Sequence, residues 1–295
     1  MKTALVAIIG RPSVGKSTFL NTACQEPVSI VSATPQTTRN AIRGIVNTSL
    51  GQLVFIDTPG YHDSEKKMNL RLRSVTENQL DGIDCVLYII DSTRAVGAEE
   101  EQTANLLRSL QEKTVVAINK IDLRNNRKQE IRDFLAINLP EIPQERIFEI
   151  SAQNDEGINE VLKGLYAISP EGEPMYGDEM YTDQDLKFRV CEIIRGEAIN
   201  RLEEEIPHAV YVDVADIEHR NEGKKLWIRA FLYVERESQK GIVIGKGASK
   251  IKEIRLSAMQ KLNEIYMQKI DLDLQVRVDK NWRQRDFTLR RLIPE

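Results

Sequence analysis

Short apolar runs alternate with longer amphipathic segments over the first 168 residues of the chain. Glu99–Leu110 and Lys128–Leu139 carry apolar residues three and four positions apart, the spacing of one buried helix face. Strands that alternate with helices predict a doubly wound, mostly parallel α/β sheet. Ala41–Asp57 holds two apolar runs around a turn at Gly51, which predicts one antiparallel hairpin in that sheet. The runs of strand length are Ala4–Ile9, Leu53–Ile56, Val86–Ile90, Val115–Ile118 and Ile147–Ile150.

The pattern changes after residue 168. Residues 169–180 are rich in Pro, Gly and acidic side chains and have no apolar period. We therefore expect a linker there, between a first domain at 1–168 and a second at 181–295. The second domain is predicted to be a smaller α+β fold. Its predicted elements are a helix at Leu186–Leu202, strands at Ala209–Asp216 and Lys225–Val234, a helix at Lys250–Met267 and a strand at Ile270–Val278.

Charge is unevenly distributed along the 295 residues. The chain carries 41 basic and 45 acidic side chains, a net charge of -4, which by itself argues against a nucleic-acid binder. Residues 240–291, however, hold 13 basic and 6 acidic side chains. A local basic stretch of this kind suits the phosphates of RNA.

Cysteine usage and the amino terminus bear on the compartment. Cys24, Cys85 and Cys191 are widely separated, so they provide neither a CxxC metal site nor a paired disulfide framework. The apolar run before Gly10 is too short for a signal peptide or a membrane span. We expect a cytoplasmic protein whose membrane contacts are at most peripheral.

The strongest local motif is the sequence from Gly10 to Ser17, which follows an apolar strand and opens a helix. This G-x-x-x-x-G-K-S pattern is typical of a phosphate-binding loop, because its glycines let successive backbone N–H groups face an anion. Lys16 is predicted to reach the β- and γ-phosphates, and the Ser17 hydroxyl is predicted to ligate Mg²⁺.

Asn119–Asp122, with the sequence NKID, selects the base. It follows the apolar strand at 115–118, at the strand end where such sheets bind ligands. The Asp122 carboxylate can accept hydrogen bonds from N1–H and the exocyclic amine of guanine, which adenine does not offer. Asn119 is expected to tie the loops together, and the Lys120 stem to cover the base. We therefore predict GTP or GDP as the ligand.

Further motifs complete the predicted nucleotide site. Asp57 is expected to hold Mg²⁺ through water and Gly60 to bond the γ-phosphate, while Thr38, with Thr37 as the alternative, offers a second hydroxyl to the metal. The predicted metal ligands are Ser17, Thr38 and Asp57, and the residues predicted to act in hydrolysis are Lys16, Ser17, Thr38, Asp57 and Gly60. The residues predicted to bind GTP are Gly10, Arg11, Pro12, Ser13, Val14, Gly15, Lys16, Ser17, Thr18, Asp57, Thr58, Pro59, Gly60, Tyr61, Asn119, Lys120, Asp122, Ser151 and Ala152.

A glycine-containing loop in the basic stretch is the candidate RNA site. Val243–Ile251 is predicted to join a strand to a helix, and its lysines would contact RNA phosphates together with Lys252 and Arg255. Ala248 stands at the fourth position of a GxxG pattern, and because Ala disfavours positive φ we expect Gly247 to adopt the strained conformation. The predicted RNA-binding residues are Ile244, Gly245, Lys246, Gly247, Ala248, Lys250 and Ile251.

The motifs GRPSVGKS, QTTR, DTPGY and NKID resemble the translation-factor class of GTPases, in the TrmE-Era-EngA-like branch that contains the Era family. The order of the second domain resembles the type II KH fold, and the segment through Glu192–Arg195 is similar to the same domain of that family. The resemblance implies GTP hydrolysis, binding to single-stranded rRNA at the 3′ end of the small-subunit rRNA, and a role in assembling the small ribosomal subunit. It also implies peripheral contact with the inner face of the cell membrane, and we expect a monomer.

Two features predict slow intrinsic turnover. Tyr61 follows the DTPG element where many GTPases of this class have a glutamine, and neither Arg11 nor Arg39 is an evident arginine finger. Two other readings stay open. One is an interaction protein whose GTP-gated second domain docks protein or membrane, and the other is a P-loop kinase or ATPase.

Overall fold

The structure, a computed structural model, describes residues 1–32, 34, 37–59, 72, 80 and 82–293. Its contacts divide the chain into two compact units. The first consists mainly of Met1–Ser29 and Thr38–Asp183, and the second of Ile30–Thr37 and Gln184–Arg291. The described residues of the short segment at 30–37 are thus grouped with the second unit, although the chain on both sides of the segment belongs to the first.

A six-stranded sheet forms the centre of the first unit. Its strands are β1 (Lys2–Ile9), β2 (Ile42–Thr48), β3 (Gly51–Asp57), β4 (Cys85–Asp91), β5 (Thr114–Asn119) and β6 (Ile147–Glu149). Their order is β2-β3-β1-β4-β5-β6, and they are parallel except for the antiparallel pair β2 and β3. The predicted hairpin and the mostly parallel sheet are confirmed.

Every residue of β3, β4 and β5 is buried, which is why these strands read as nearly continuous apolar runs. β4 and β5 leave the sheet with Asp91 and Asn119 as their last residues, side by side in register. Polar groups therefore meet at the carboxyl edge. The helices of this unit are α1 (Lys16–Cys24), α2 (Ala98–Leu107), α3 (Lys128–Asn138) and α4 (Ile158–Ile168).

The chain after α4 lies along the β2 side of the sheet. The Gln52 side chain bonds the backbone of Met175 and Tyr176, and the Ile45 N–H donates to the Tyr181 carbonyl at 2.9 Å. Arg43 forms an ion pair with Asp183 at 2.9 Å. The segment at 170–183 is thus held by the first unit through side-chain and backbone hydrogen bonds.

The second unit has a three-stranded sheet in the order β7-β8-β9, with β7 and β8 antiparallel and β8 and β9 parallel. Val190 and Ile194 of α5, together with Ile254 and Ala258 of α8, belong to a fully buried core formed with this sheet. The elements are α5 (Leu186–Ile199), α6 (Ile206–Ala209), β7 (Tyr211–Arg220), β8 (Lys225–Val234), α7 (Glu237–Ile244), α8 (Ser249–Tyr266) and β9 (Lys269–Val278), and α9 (Asp286–Leu292) follows near the end of the chain.

One predicted feature of this unit is wrong. The residues before the GxxG-like loop form the helix α7 and not a strand. Gln239 accepts the N–H of Arg236 in a capping arrangement, and of the residues in α7 only Val243 is buried. A short helix with one inward side chain gives an apolar run at 242–244 that cannot be told from a strand by sequence.

Trp282, which follows β9, serves packing. Trp282 is fully buried, and its Nε1–H donates to the Ala209 carbonyl at 2.8 Å. Its ring lies edge-on to Tyr211.

Among the described residues, no helix combines the length and the apolar character needed to cross a membrane.

Candidate nucleotide and RNA sites

The loop between β1 and α1 has the backbone of a phosphate cradle. Gly10 and Gly15 have φ of 154° and 103°, and Ser13 is also left-handed at 65°. A Cβ at Gly10 would collide with the Ile89 carbonyl, and one at Gly15 would collide with the Asn119 side chain. The two glycines are therefore required by both conformation and space. α1 starts at Lys16, so the loop ends at a helix amino terminus, where anions are favoured.

Lys16 lies inside this loop. Its Nζ donates to the carbonyls of Gly10 and Arg11 at 2.9 and 2.8 Å, and the side chain is buried. Burial lowers the pKa of Lys16 to about 8, and the nearby Asp57 acts in the opposite direction. The ammonium is thus placed where a bound phosphate would replace the two carbonyls as its partner.

Three oxygen-bearing side chains predicted to hold Mg²⁺ converge beside Lys16. Ser17 Oγ lies 2.7 Å from Asp57 Oδ2 and 3.1 Å from Thr38 Oγ1. Ser29, which was not predicted, donates from Oγ to the same Asp57 oxygen at 2.8 Å. Of the two threonines that the sequence offered, Thr37 and Thr38, it is the favoured Thr38 whose hydroxyl lies in this cluster.

The cluster fits a magnesium ion chemically. Asp57 is fully buried, and its Oδ1 has no hydrogen-bond partner among the described residues. Burial raises the pKa of Asp57, while Lys16 and the three hydroxyls act to lower it. A buried carboxylate with an unused oxygen, next to three hydroxyls, is the kind of hard-oxygen site that Mg²⁺ prefers.

The predicted guanine pocket is assembled from three loops. Asn119 Nδ2 donates to the Val14 carbonyl at 2.8 Å, and Asn119 Oδ1 accepts from Ala152 N–H at 3.0 Å. Asn119 therefore ties the phosphate loop to the segment after β6, as predicted. Asp122 is exposed and lies three residues after Asn119 in the chain. The backbone N–H groups of Ser151 and Ala152, predicted to bond guanine O6, donate here to Glu156 and Asn119.

Lys120 has a partner that the sequence does not reveal. Its Nζ lies 2.6 Å from Asp91 Oδ2 and donates to the Ser13 carbonyl at 2.8 Å. Burial acts to raise the pKa of Asp91, but hydrogen bonds from Lys120 and Thr93 leave it below its usual value. Asp91 and the Ser13 carbonyl thus fix the position of the Lys120 ammonium.

Arg11 is turned away from the phosphate loop. Its guanidinium pairs with Glu99 at 2.6 Å and with Glu100, both in the first turn of α2. In this geometry Arg11 braces the loop against α2 and does not extend a guanidinium towards the phosphates. Thr58 is likewise structural, because its Oγ1 donates to the Ile8 carbonyl at 2.7 Å. Gly60 and Tyr61 lie outside the described residues.

The candidate RNA loop joins α7 to α8. Gly245, Gly247 and Ala248 have φ of 74°, 60° and 60°, so Ala248 shares the left-handed conformation that we expected Gly247 to take alone. That expectation is wrong in part. A Cβ at Gly245 would press on Lys250, which allows only glycine there.

The loop presents cations at a helix start. Lys246 is exposed, Lys250 is half-buried, and α8 begins at Ser249 without a side-chain cap, so its first N–H groups can meet an anion. Ile244 and Ile251 are half-buried on either side. Arg255 points elsewhere, because its guanidinium donates to the Leu272 carbonyl of β9 at 3.4 Å. The phosphate contact of Arg255 stays a prediction.

The fold and these two sites define a P-loop GTPase joined to a KH-type RNA-binding domain. A family model described as "50S ribosome-binding GTPase" matches residues 5–120, and one described as "KH domain" matches residues 205–283. The GTPase Era of Treponema denticola is 58% identical over 292 residues, which is 99% of each chain. The GTPase Era of Treponema pallidum (strain Nichols) is 44% identical over 310 residues, 99% of this chain and 97% of that protein. The chain belongs to the Era family of GTPases.

Two solved structures support the same assignment. A variant of Aquifex aeolicus Era bound to GDP.AlF4- and an Era in complex with MgGDPNP and nucleotides 1506–1542 of 16S ribosomal RNA each have a TM-score of 0.93 and 33% identity. Each comparison covers 100% of this chain and 99% of the solved chain. The protein is thus a GTP-binding hydrolase with a KH domain, and the predicted family and fold class are confirmed.

Proposed function

We propose that this protein hydrolyses Mg²⁺-bound GTP in a unit centred on residues 1–168 and binds the single-stranded 3′ end of small-subunit rRNA with residues 181–295, in assembly of the small ribosomal subunit. The observation that carries the RNA part is the exposed, lysine-bearing loop at the start of α8. The GTP part rests on Lys16 and the cluster around Asp57.

The roles in hydrolysis follow from the positions of the side chains. Lys16 would neutralise phosphate charge, and Ser17, Thr38 and Asp57 would hold Mg²⁺, Asp57 through water. The metal would supply positive charge against the phosphates of GTP. The described part of the site contributes positioning and charge, and no side chain in it is placed as a general base. This supports slow intrinsic turnover that an activator raises.

The rRNA target is supported by the Era complex that contains nucleotides 1506–1542 of 16S ribosomal RNA. The loop of this chain offers what a single-stranded backbone needs, namely cations, unsatisfied N–H groups and adjoining apolar side chains. A monomeric state, a cytoplasmic location and a peripheral membrane contact stay predictions from the sequence.

Binding of the full chain to a short single-stranded RNA with the 3′-terminal sequence of small-subunit rRNA tests the proposal. Fluorescence anisotropy at several salt concentrations is the measurement. Lys246→Gln and Lys250→Gln should each weaken binding and reduce the dependence of log K on log salt by about 0.7. Lys224→Gln is the matched control, because Lys224 is exposed in the turn between β7 and β8.

Two results would contradict the RNA assignment. One is the absence of RNA binding even at low salt, which would favour docking of a protein or membrane by this domain. The other is a Lys224 variant that lowers affinity as much as the loop variants do. Either would leave the GTPase part intact.

A further inference from the structure

The two residues that flank the segment at 30–37 are both bonded to Asp57. Ser29 Oγ donates to Asp57 Oδ2 at 2.8 Å, and Thr38 Oγ1 donates to the same oxygen at 3.4 Å. Both flanking residues belong to the first unit. The segment therefore leaves the candidate metal site at one end and returns to it at the other.

Three described residues of this segment, Ile30, Val31 and Thr37, contact the second unit, to which they belong. Arg195 of α5 donates to the Thr37 carbonyl at 2.7 Å, and Asn200 donates to the Val31 carbonyl at 3.3 Å. Ile30 packs on Gly196, where an added Cβ would sit 3.3 Å from its side chain. Three residues near the carboxyl end of α5, Arg195, Gly196 and Asn200, thus contact the described residues of the segment.

Arg195 is the most constrained of these contacts. Its side chain is 3% exposed and is clamped by Glu192 through two hydrogen bonds, of 2.7 and 2.6 Å. The clamp directs the guanidinium, because a planar guanidinium bonded through two nitrogens has little freedom left. These two residues begin and end the Glu192–Arg195 motif, for which the nucleotide and RNA sites give no use.

The Thr37 carbonyl belongs to the same planar peptide group as the N–H and Cα of Thr38. A strong hydrogen bond to that carbonyl therefore sets the orientation of the backbone from which the Thr38 hydroxyl reaches Ser17 and Asp57. We propose that Arg195 is a positioning residue that presets Thr38 for the magnesium ion. The metal site is thereby coupled to α5 of the RNA-binding unit through the covalent chain.

This inference rests on the proposed Mg²⁺ site and adds a reciprocal consequence. If the Arg195 bond favours metal binding, metal binding favours the Arg195 bond by the same factor. GTP with Mg²⁺ should therefore order the end of α5, and the effect should be weaker with GDP, which has no γ-phosphate to hold the segment.

The test measures how Mg²⁺ slows the release of a fluorescent, nonhydrolysable GTP analogue from the full chain. We expect Arg195→Gln to raise the Mg²⁺ concentration needed for half of the effect by about tenfold, which corresponds to about 1.4 kcal/mol. The shift with a fluorescent GDP should be much smaller. Arg201→Gln is the matched control, because it removes another arginine–carboxylate pair of the same unit, with Glu197, and should shift the midpoint less than twofold.

A double-mutant cycle with Thr38→Ala separates positioning from general stability. Arg195→Gln should cause no further shift in the Thr38→Ala background, since the hydroxyl it orients is gone. Glu192→Gln loosens the clamp without removing Arg195, so it should shift the midpoint in the same direction by a smaller factor. This variant decides the matter if Arg195→Gln does not fold.

Several outcomes would overturn the inference. The first is an unchanged Mg²⁺ midpoint in Arg195→Gln, or in Glu192→Gln if only that variant folds. The second is a shift in Arg201→Gln as large as that in Arg195→Gln. The third is a double-mutant cycle in which the effects of Arg195→Gln and Thr38→Ala simply add. A wild-type chain whose GTP release is insensitive to Mg²⁺ would instead refute the proposed metal site itself.

Discussion

Opposite substitutions at Gly247 and Ala248 test how much the left-handed backbone conformation costs at these two positions. Their dihedral angles are nearly identical, with φ of 60° in both and ψ of 28° and 27°. Both residues are exposed, and a Cβ added at Gly247 would meet nothing within 4 Å. Ala248→Gly and Gly247→Ala therefore change the cost of the left-handed conformation with almost no change in packing.

The expected magnitude follows from two opposing effects. An L-residue in the left-handed region costs about 1–2 kcal/mol, which Ala248→Gly removes. The added glycine also gives the unfolded chain more conformational entropy, which lowers the free energy of unfolding by about 0.4–1 kcal/mol. We expect Ala248→Gly to stabilise the second unit by about 0.7 kcal/mol and Gly247→Ala to destabilise it by a similar amount.

The chain provides its own probe for this measurement. It contains 2 tryptophans, Trp227 and Trp282, and both lie in the second unit. Trp282 is fully buried, so its fluorescence should change when this unit unfolds. Urea unfolding of the full chain, followed by tryptophan fluorescence, gives the free energy of unfolding of the second unit for each variant. The slope m should not change.

The reasoning would be refuted by two variants that change stability in the same direction, or by an Ala248→Gly variant that is less stable than the wild type. Either result would mean that the Ala248 methyl makes a contact that outweighs the backbone strain. RNA affinity, measured on the same samples, shows separately whether the left-handed residue at this position matters for binding.

Three further predictions concern the nucleotide site. Asp122→Asn should shift preference from guanine to xanthine nucleotides in competition assays, and unchanged selectivity would place the base elsewhere. Because burial lowers the pKa of Lys16 to about 8 and a bound phosphate favours the charged form, GTP binding should take up a proton at about pH 9 and almost none at about pH 6.5. Calorimetry in buffers of different ionisation enthalpy measures this uptake, and Lys16→Arg should abolish it. Glu100→Gln should destabilise the protein by about 3 kcal/mol in thermal unfolding, because Glu100 is 2% exposed and pairs with the buried Arg11, whereas Glu99→Gln, at a 41% exposed carboxylate, should cost less than about 1 kcal/mol.

The sheet of the first unit was predictable because its strands are buried on both faces. Such strands appear as apolar runs whatever their neighbours, and each phosphate or base motif follows the end of one run. Asn119 could be placed as a tie between loops for that reason. The fold of the first unit could therefore be predicted largely from the apolar pattern and the order of the motifs.

The parts that sequence could not supply are long-range side-chain contacts. Ser29 joins the Asp57 cluster from a loop with no motif of its own, and Asp91 holds Lys120 from the neighbouring strand end. Arg195 meets a carbonyl 158 positions earlier in the chain. Each contact depends on how loops close over the sheet edge, which short-range periodicity does not encode. The helix α7 was missed for a different reason, since it buries a single residue.

The structure also shows which charges of the basic stretch at 240–291 pair within the protein. The stretch holds 13 basic and 6 acidic residues, but three of its cations pair with carboxylates outside it and a fourth pairs with Asp279 inside it. The guanidinium of Arg277 lies over the Phe231 ring. The ion pairs are Lys261 with Glu197, Arg283 with Glu235, Arg285 with Asp279 and Arg291 with Asp213.

The cations left for RNA at the candidate loop are therefore few. Lys246 lies in the loop before α8, and Lys250 and Lys252 lie in the first turn of that helix. Three phosphate contacts to a single strand predict a slope of log K against log salt of about -2, whereas the net charge of the whole stretch would predict about -5. A slope near the smaller value would locate phosphate attraction at the loop, since Lys261, Arg283 and Arg291 already pair with carboxylates of the second unit.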